Sequence, residues 1–421
     1  MRTTGPEFDV LIVGGGVIGT TLAGLLVARR LVPAARVAVI AAAPPPVPSS
    51  VLSDWDLRVF ALSRASQRIL ALCGIWAKLP PQKMQPYERM CVWDSSSAPG
   101  DAGSLTFDCA ELGEPNLGFI VEGNALQEQA SRAARAAGIA FLDAPIDGII
   151  TASAGIRVTL RDGREVSGQL LIGADGAESM VRRLLGIDTA GHDYGEEALV
   201  AHVRTAAFHA HTAWQRFLPT GPLAFLPLPD GRSSIVWSVP RAEAARLRTL
   251  NPAAFGEALT RASGRVLGAC ELTTSLASFP LKLQYALDYV RPRAVLLGDA
   301  AHVVHPLAGQ GLNLGLLDCA ALAEVLSGTA GGRFCGEHRA LRRYERWRRS
   351  ENLLMAAALD GLQRLFASPR PAVSRLRVLG LDAVSRLPPL KRALAGRALG
   401  LAGDVPSFLQ EAGAVKSRHR F

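Results

Sequence analysis

Six cysteines in 421 residues, at 73, 91, 109, 270, 319 and 335, form no Cys-x-x-Cys pair and gather no histidines. That spacing supports neither a metal site nor a disulfide framework, and it predicts small, buried thiols in a reducing cytoplasm. Long apolar runs are also missing. The richest stretch, Val37 to Pro48, is cut by Pro44, Pro45 and Pro46, well short of the roughly 18 residues that a membrane-crossing helix needs. Met1 to Phe8 leads straight into the first predicted strand, so no signal peptide is expected. Basic charge is scarce until late in the chain. Residues 1–332 carry 28 Lys and Arg against 30 Asp and Glu, whereas residues 333–421 carry 18 against 7. A near-neutral body with a basic, apolar tail argues against nucleic acid and for an anionic membrane surface.

What is present is a folded chain, 49% apolar and 20% charged, too long for one compact core. Residues 9–13 and 37–41 read as buried parallel strands joined by a helix from Gly19 to Arg30, a βαβ unit. Helical patterns return at 63–76 and 124–137, with short strands at 89–93 and 104–109 between them. From Leu199 to Val239 the chain is strongly β. There Pro229-Asp230-Gly231 separates two extended runs, 224–228 and 234–239. Everything after Glu337 reads as helical, interrupted by Pro371, Pro388 and Pro389.

Gly14, Gly16 and Gly19 stand between the first strand and the helix. This spacing permits a tight turn, close backbone approach to a pyrophosphate, and tight helix–strand packing. The acidic residue that would hold a ribose at the end of the second strand is absent; Ala41 stands there, followed by Ala42 and Ala43. Water or backbone must hold the ribose instead.

A second glycine-rich stretch, Gly298-Asp-Ala-Ala-His302 followed by His305-Pro-Leu-Ala-Gly-Gln-Gly-Leu-Asn-Leu-Gly-Leu-Leu-Asp318, resembles the signature of the ubiquinone-biosynthesis hydroxylases. These belong to the single-component flavin aromatic hydroxylases. The resemblance extends through Asp56-Leu-Arg-Val59, Gly173-Ala-Asp-Gly-Ala-Glu-Ser179 with Arg182, Ala224-Phe-Leu-Pro-Leu228, Ser234-Ile-Val-Trp237 and Leu341-Arg-Arg-Tyr-Glu-Arg346. Among its branches the chain looks most similar to the 2-octaprenylphenol hydroxylases.

The resemblance implies an FAD cofactor and NAD(P)H as co-substrate. By it, Asp299 would accept a ribityl hydroxyl, and Gly309, Gln310 and Gly311 would bring backbone N–H groups to the flavin, with Asn313 beginning the following helix. Arg58 would contact the cofactor from the other side. Asp175 and Gly176 resemble a motif linked to the FAD and NAD(P)H pyrophosphates. The implied reaction adds oxygen at flavin C4a and passes a hydroxyl from the hydroperoxide to an electron-rich ring, with no metal and no catalytic side chain singled out.

Several assignments stay open at this level. Arg182 could touch ligand or brace its turn. His302 and His305 could relay protons or simply hydrogen-bond. His209 and His211 alternate on a predicted strand, but a metal needs a third ligand. Trp214, Phe217, Phe225 and Trp237 could line a prenyl pocket or fill sheet core. Arg339, Arg342, Arg343, Arg346, Arg348 and Arg349 could be a solvated helix face, with Glu345 and Arg349 paired, or could meet lipid headgroups beside Leu353, Leu354, Leu362 and Leu376.

The expected fold class is α/β: a Rossmann-like FAD-binding domain (1–80, 118–185, 285–336) interleaved with a mixed β-sheet substrate domain (81–117, 186–284). A basic helical region (337–421) completes it. The implied function is hydroxylation of a prenylated phenol, in the cytoplasm or on the inner face of the membrane, within a quinone-biosynthesis complex. A flavin-dependent prenyl reductase and a non-catalytic membrane scaffold are the alternatives.

Overall fold

The computed structural model describes residues 6–42, 55–153, 155–304, 309–328, 337–368 and 370–410. The proline loop 44–48, Cys335 and the 305–308 half of the second glycine motif lie outside the described residues. The helices are α1 (Val17–Ala28), α2 (Arg64–Leu72), α3 (Gly123–Ala136), α4 (Met180–Leu184) and α5 (Arg241–Arg248). They continue with α6 (Pro252–Ala262), α7 (Gln310–Ser327), α8 (His338–Ala367), α9 (Pro371–Arg386) and α10 (Pro388–Ala398).

One sheet is built on parallel strands in the order Ala294–Leu296, Glu165–Gly173, Phe8–Val13, Val37–Ala41 and Ala140–Asp143. Residues 10–13 and the strand Val37–Ala41 are continuous, buried apolar runs because both faces of the sheet are covered there. Helices α1, α3 and α7 supply much of that cover, and α1 packs on both α3 and α7.

A second, largely antiparallel sheet runs His302–Val303, Ala277–Ala286, Thr189–Thr205, Ser233–Pro240, Gly221–Pro227, Thr212–Leu218, Arg89–Asp94 and Ser104–Asp108. One parallel pair, Arg89–Asp94 beside Thr212–Leu218, brings the early segment into this late sheet. A third, small sheet joins Val59–Ser63, Gly118–Glu122 and Met84–Tyr87. Met84–Tyr87 lies in the segment 81–117, yet it pairs with Gly118–Glu122 and does not join the large antiparallel sheet.

The helices α5 and α6 were not anticipated, although α6 carries its signals: Pro252 at its first position and Asn251 as a cap accepting from the Ala254 N–H at 2.9 Å. They cover one face of the antiparallel sheet, and Trp214, Phe225 and Trp237 point into the core between them. The strand expected around His209 and His211 is instead a turn. Ala210 and His211 adopt left-handed backbone, with φ of 50° and 51°, before the strand begins at Thr212.

Candidate active site

Two long helices begin at one cavity. Gly16 caps α1 and Gly309 caps α7, each without a side-chain hydrogen bond, and neither helix has an acidic residue in its first turn. The first-turn N–H groups and the positive helix ends therefore remain available to an anionic or electron-rich ligand. Gly309 can hold its φ of +59° because it has no Cβ.

The cavity has a volume of about 620 Å³, and Gly16, Arg58, Gly176, Asp299, Gly309 and Gly311 line one side. At Gly16 and Gly311 an added Cβ would meet nothing closer than 3.9 Å, so it would project into the cavity. Gly14 and Gly19 work differently. A Cβ on Gly14 would sit 2.1 Å from the Ala174 carbonyl oxygen, and one on Gly19 would sit 2.0 Å from that of Gly14. These two glycines set the strand–helix packing that holds Gly16 at the cavity.

The carboxyl of Asp299 is exposed, but to the cavity and deep among protein atoms. Burial there raises its pKa; the charges of His302 and Arg58 pull the other way. Arg58 is held by its backbone, whose carbonyl accepts from the Gly123 N–H at 2.8 Å, and its guanidinium lies over the Phe60 ring at 5.1 Å. Gln310 opens α7, half-buried.

Asp175 and Asn313, both expected at the cofactor, make hydrogen bonds within the protein. The Asp175 carboxylate accepts from Ser179 Oγ and from the N–H groups of Met180 and Val181 at 2.7 and 3.1 Å. It caps α4 and shapes the turn that presents Gly176, whose φ is +81°. Asn313 is 2% exposed. Its Oδ1 accepts from the Ser63 N–H and Ser66 Oγ, while its Nδ2 donates to the carbonyls of Ala61 and Gly309. With both ends of its carboxamide engaged, Asn313 bolts the first turn of α7 to the strand Val59–Ser63.

Arg182 braces. It is buried and donates to the Ala300 and Ala177 carbonyls at 2.9 and 2.8 Å, tying the Gly176 turn to the Asp299 loop. Desolvation lowers its pKa.

Sequence reasoning missed the brace behind Asp299. Asp318, fully buried in α7, accepts from the Gly298 N–H at 3.1 Å and meets His302 Nε2 at 2.6 Å. Its other oxygen accepts from Arg348 Nε at 2.7 Å and Asn352 Nδ2 at 3.2 Å. Burial alone would raise the Asp318 pKa, but His302 and Arg348 override it and hold it at about 2. Arg348 is therefore no part of a solvated face: it is 2% exposed. Glu345 pairs with Arg342 and accepts from the Tyr289 N–H, in place of the expected Arg349. His302 has a hydrogen-bonding role. His305 lies outside the described residues.

The other histidines are engaged in the turn: His209 Nε2 meets the Leu228 carbonyl at 3.0 Å, and His211 Nδ1 meets Gln85 Nε2 at 2.9 Å. No cluster that could hold a metal occurs among the described residues. Trp214, Phe225 and Trp237 are sheet core, and Phe217 stacks on Phe366 of α8 at 3.8 Å. Near Ala41, a Cβ on Gly15 would sit 2.8 Å from the Ala41 Cβ. Asp143 lies opposite Ala41 on the neighbouring parallel strand, and from α3 Gln127 donates to the Gly15 carbonyl and lines the cavity with Asn124.

Opposite the helix ends, the antiparallel sheet presents Met90, Ala213, Gln215, Ala224, Val236 and Ser238. A Rossmann-type sheet, two uncapped helix entries and a facing apolar sheet define a dinucleotide-dependent oxidoreductase, and the glycine cradle fits FAD.

Comparison with known proteins narrows the class. A family model described as an FAD binding domain matches residues 132–353. The chain is 34% identical to the mitochondrial ubiquinone biosynthesis monooxygenase COQ6 of Xenopus tropicalis, over 94% of each chain. It is 34% identical to 3-demethoxyubiquinol 3-hydroxylase of Escherichia coli, over 94% of this chain and all of that one. Ubiquinone hydroxylase UbiL of Rhodospirillum rubrum is 37% identical, over 93% and 89%. The crystal structure of PqsL, a probable FAD-dependent monooxygenase of Pseudomonas aeruginosa, superposes with a TM-score of 0.71 at 26% identity, covering 89% of this chain and 99% of that one. The chain belongs to the FAD-dependent hydroxylases of ubiquinone biosynthesis. The named relatives carry different activities, so they place it in the family without choosing a branch.

Proposed function

We propose that this hydroxylase acts on the aromatic ring of a prenylated phenol, consuming NAD(P)H and O2 with FAD held in the cavity. One observation carries the reading: a single cavity of about 620 Å³ has a wall of helix N-termini and an apolar sheet wall facing it. The first suits a charged, hydrogen-bonding cofactor; the second suits a greasy ring and excludes water.

FAD, when bound, supplies the redox and oxygen-activating chemistry. In this reading the chain's own groups bind and orient. Gly16 and the first turn of α1 take the pyrophosphate, Asp299 takes a ribityl hydroxyl, and Gly309, Gln310 and Gly311 offer N–H groups to the ring. Arg58 and Gly176 close the cradle, while Gly14, Gly19, Asp175 and Asn313 hold its shape. The test is mass spectrometry of quinone intermediates in cells lacking the protein. Accumulation of a prenylphenol short of one hydroxyl is expected; an unchanged quinone pool would refute the substrate.

A membrane contact follows from the same substrate, since a prenylated phenol partitions into lipid. The support is on α9 and α10, where Leu376, Leu379, Leu387, Leu390 and Leu394 are 43–65% exposed. Arg370, Arg375 and Arg392 near them form no ion pair among the described residues. Exposed leucines beside unpaired basic residues suit an anionic headgroup layer. No described helix is long and apolar enough to cross a membrane.

A further inference from the structure

Within the substrate-facing wall, one side chain is out of keeping with its neighbours. Strand register puts Ala213 opposite Met90, and puts Gln215 opposite Ala224, which in turn lies opposite Val236. All five line the cavity. The alternate residues of the same strands, Trp214, Phe225 and Trp237, go to the core against α5 and α6. Strand alternation therefore fixes Gln215 in an apolar row and denies it the outer surface.

Gln215 is 5% exposed, and its carboxamide has no hydrogen-bond partner among the described residues. Three other carboxamides near the site are engaged: Gln85 with His211 and the Pro86 carbonyl, Gln127 with the Gly15 carbonyl, and Asn313 with four groups. Asn124, which also lines the cavity, is exposed, whereas Gln215 is set within the sheet wall. Ser238, 2% exposed and two residues beyond Val236, is the second polar group on this wall and also lacks a partner among the described residues. Neither polar group is sealed off from the cavity, so an amide and a hydroxyl that bind nothing in the protein among the described residues are both presented to whatever ligand enters it.

We infer that Gln215 orients the substrate: its carboxamide hydrogen-bonds an oxygen substituent of the aromatic ring, with Ser238 beside it, and so sets which ring edge faces the flavin. An amide suits this task because it donates to an ether or carbonyl oxygen and accepts from a hydroxyl. The inference rests on the prenylated-phenol reading. A site built around such a bond discriminates strongly against the analogue lacking the oxygen, because the amide is then left unpaired.

The test crosses a change in the protein with a change in the ligand, on the FAD-loaded full-length enzyme. The probes are 2-geranylphenol and geranylbenzene, which differ by the ring hydroxyl, and binding is read from the perturbation of flavin absorbance. Wild type should prefer the phenol by about tenfold or more, as one well-made hydrogen bond in a closed site dictates. Gln215→Met, close in shape, and Gln215→Leu should both retain FAD and bring that preference near unity. Their ligand-free Tm should hold, since the amide makes no hydrogen bond to the protein among the described residues. Ser238→Ala should reduce the preference in part.

Wild-type preference in both Gln215 variants would overturn the inference and leave the hydroxylase reading standing. Loss of flavin with a lower Tm in both would overturn it too, by assigning Gln215 to the fold. If wild type binds neither probe and hydroxylates no prenylated phenol, the substrate reading fails and the inference fails with it.

Discussion

Gly19 and Gly311 are alike on paper and opposite in the molecule. A Cβ on Gly19 runs into the Gly14 carbonyl, which belongs to the backbone and cannot step aside. Gly19→Ala should therefore lose fold and flavin together. At Gly311 an added methyl meets nothing within 4 Å and enters the cavity. Alanine also favours helix over glycine by roughly 1 kcal/mol. Gly311→Ala should keep or raise the Tm of the apoprotein while lowering the flavin-to-protein absorbance ratio after gel filtration. Full flavin retention would remove Gly311 from the cofactor site. Asp318 gives the pH counterpart. Its pKa lies below the ordinary carboxylate value, at about 2, so its contribution is complete above pH ~4 and is lost as pH falls through the folded value. The shift corresponds to stability on the order of 2 kcal/mol. Urea unfolding of wild type should weaken with acid below pH ~4 more steeply than that of Asp318→Asn. Parallel slopes would contradict the depressed pKa.

At the scale of elements, one buried ion pair joins α9 to the antiparallel sheet, alongside Leu381 and Val384, which pack in the same apolar cluster as Val92 and Leu105. Arg377 Nε donates to Asp94 Oδ2 at 2.8 Å, and the pair is 6% and 1% exposed. The same guanidinium donates to the carbonyls of Leu365, Phe366 and Ser368, closing the end of α8. Arg377→Met would leave Asp94 buried without its cation, a loss of about 3–5 kcal/mol. Hydrogen exchange should accelerate across α9 and the end of α8 while the parallel sheet stays protected and flavin stays bound. A concerted loss of protection everywhere would make α9 integral to the main core.

Such pairs also mark where reading the sequence stops. The βαβ start and the strands flanking Pro229-Asp230-Gly231 were legible because apolar periodicity and glycine spacing are local signals. In α8 the inward stripe runs through Leu341, Glu345, Arg348, Asn352, Ala356 and Leu359. Three polar members break the apolar pattern that would have shown which face turns in, so Arg348 looks like the arginines around it. Only its distant partner, Asp318, distinguishes it. Gln215 is hidden for the same reason: nothing local tells an amide that faces a cavity from one on the outer surface.

At the scale of the whole molecule, charge and apolar exposure coincide. The last 89 residues carry 18 basic groups against 7 acidic, while the rest is near neutral. In the same region α9 and α10 expose Leu376, Leu379, Leu387, Leu390 and Leu394. The spacing of 376, 379, 383 and 387 puts Leu376, Leu379, Ala383 and Leu387 along one helical stripe. Arg377, three residues before Gly380, points the other way into its buried pair, which turns that stripe outward. Lipid burial of a leucine is worth roughly 1.5–3 kcal/mol when complete. The double variant Leu376→Ser with Leu379→Ser should then weaken vesicle binding by about tenfold or more. Flotation with phosphatidylglycerol-containing vesicles should show wild type bound, with binding falling as salt rises past the screening of surface charge. Neutral phosphatidylcholine vesicles should bind less. Because the leucines lie away from the cavity, hydroxylation of a detergent-dispersed short-chain phenol should be unchanged in the double variant. Equal binding of wild type and variant to both vesicle types would assign this face to something other than lipid.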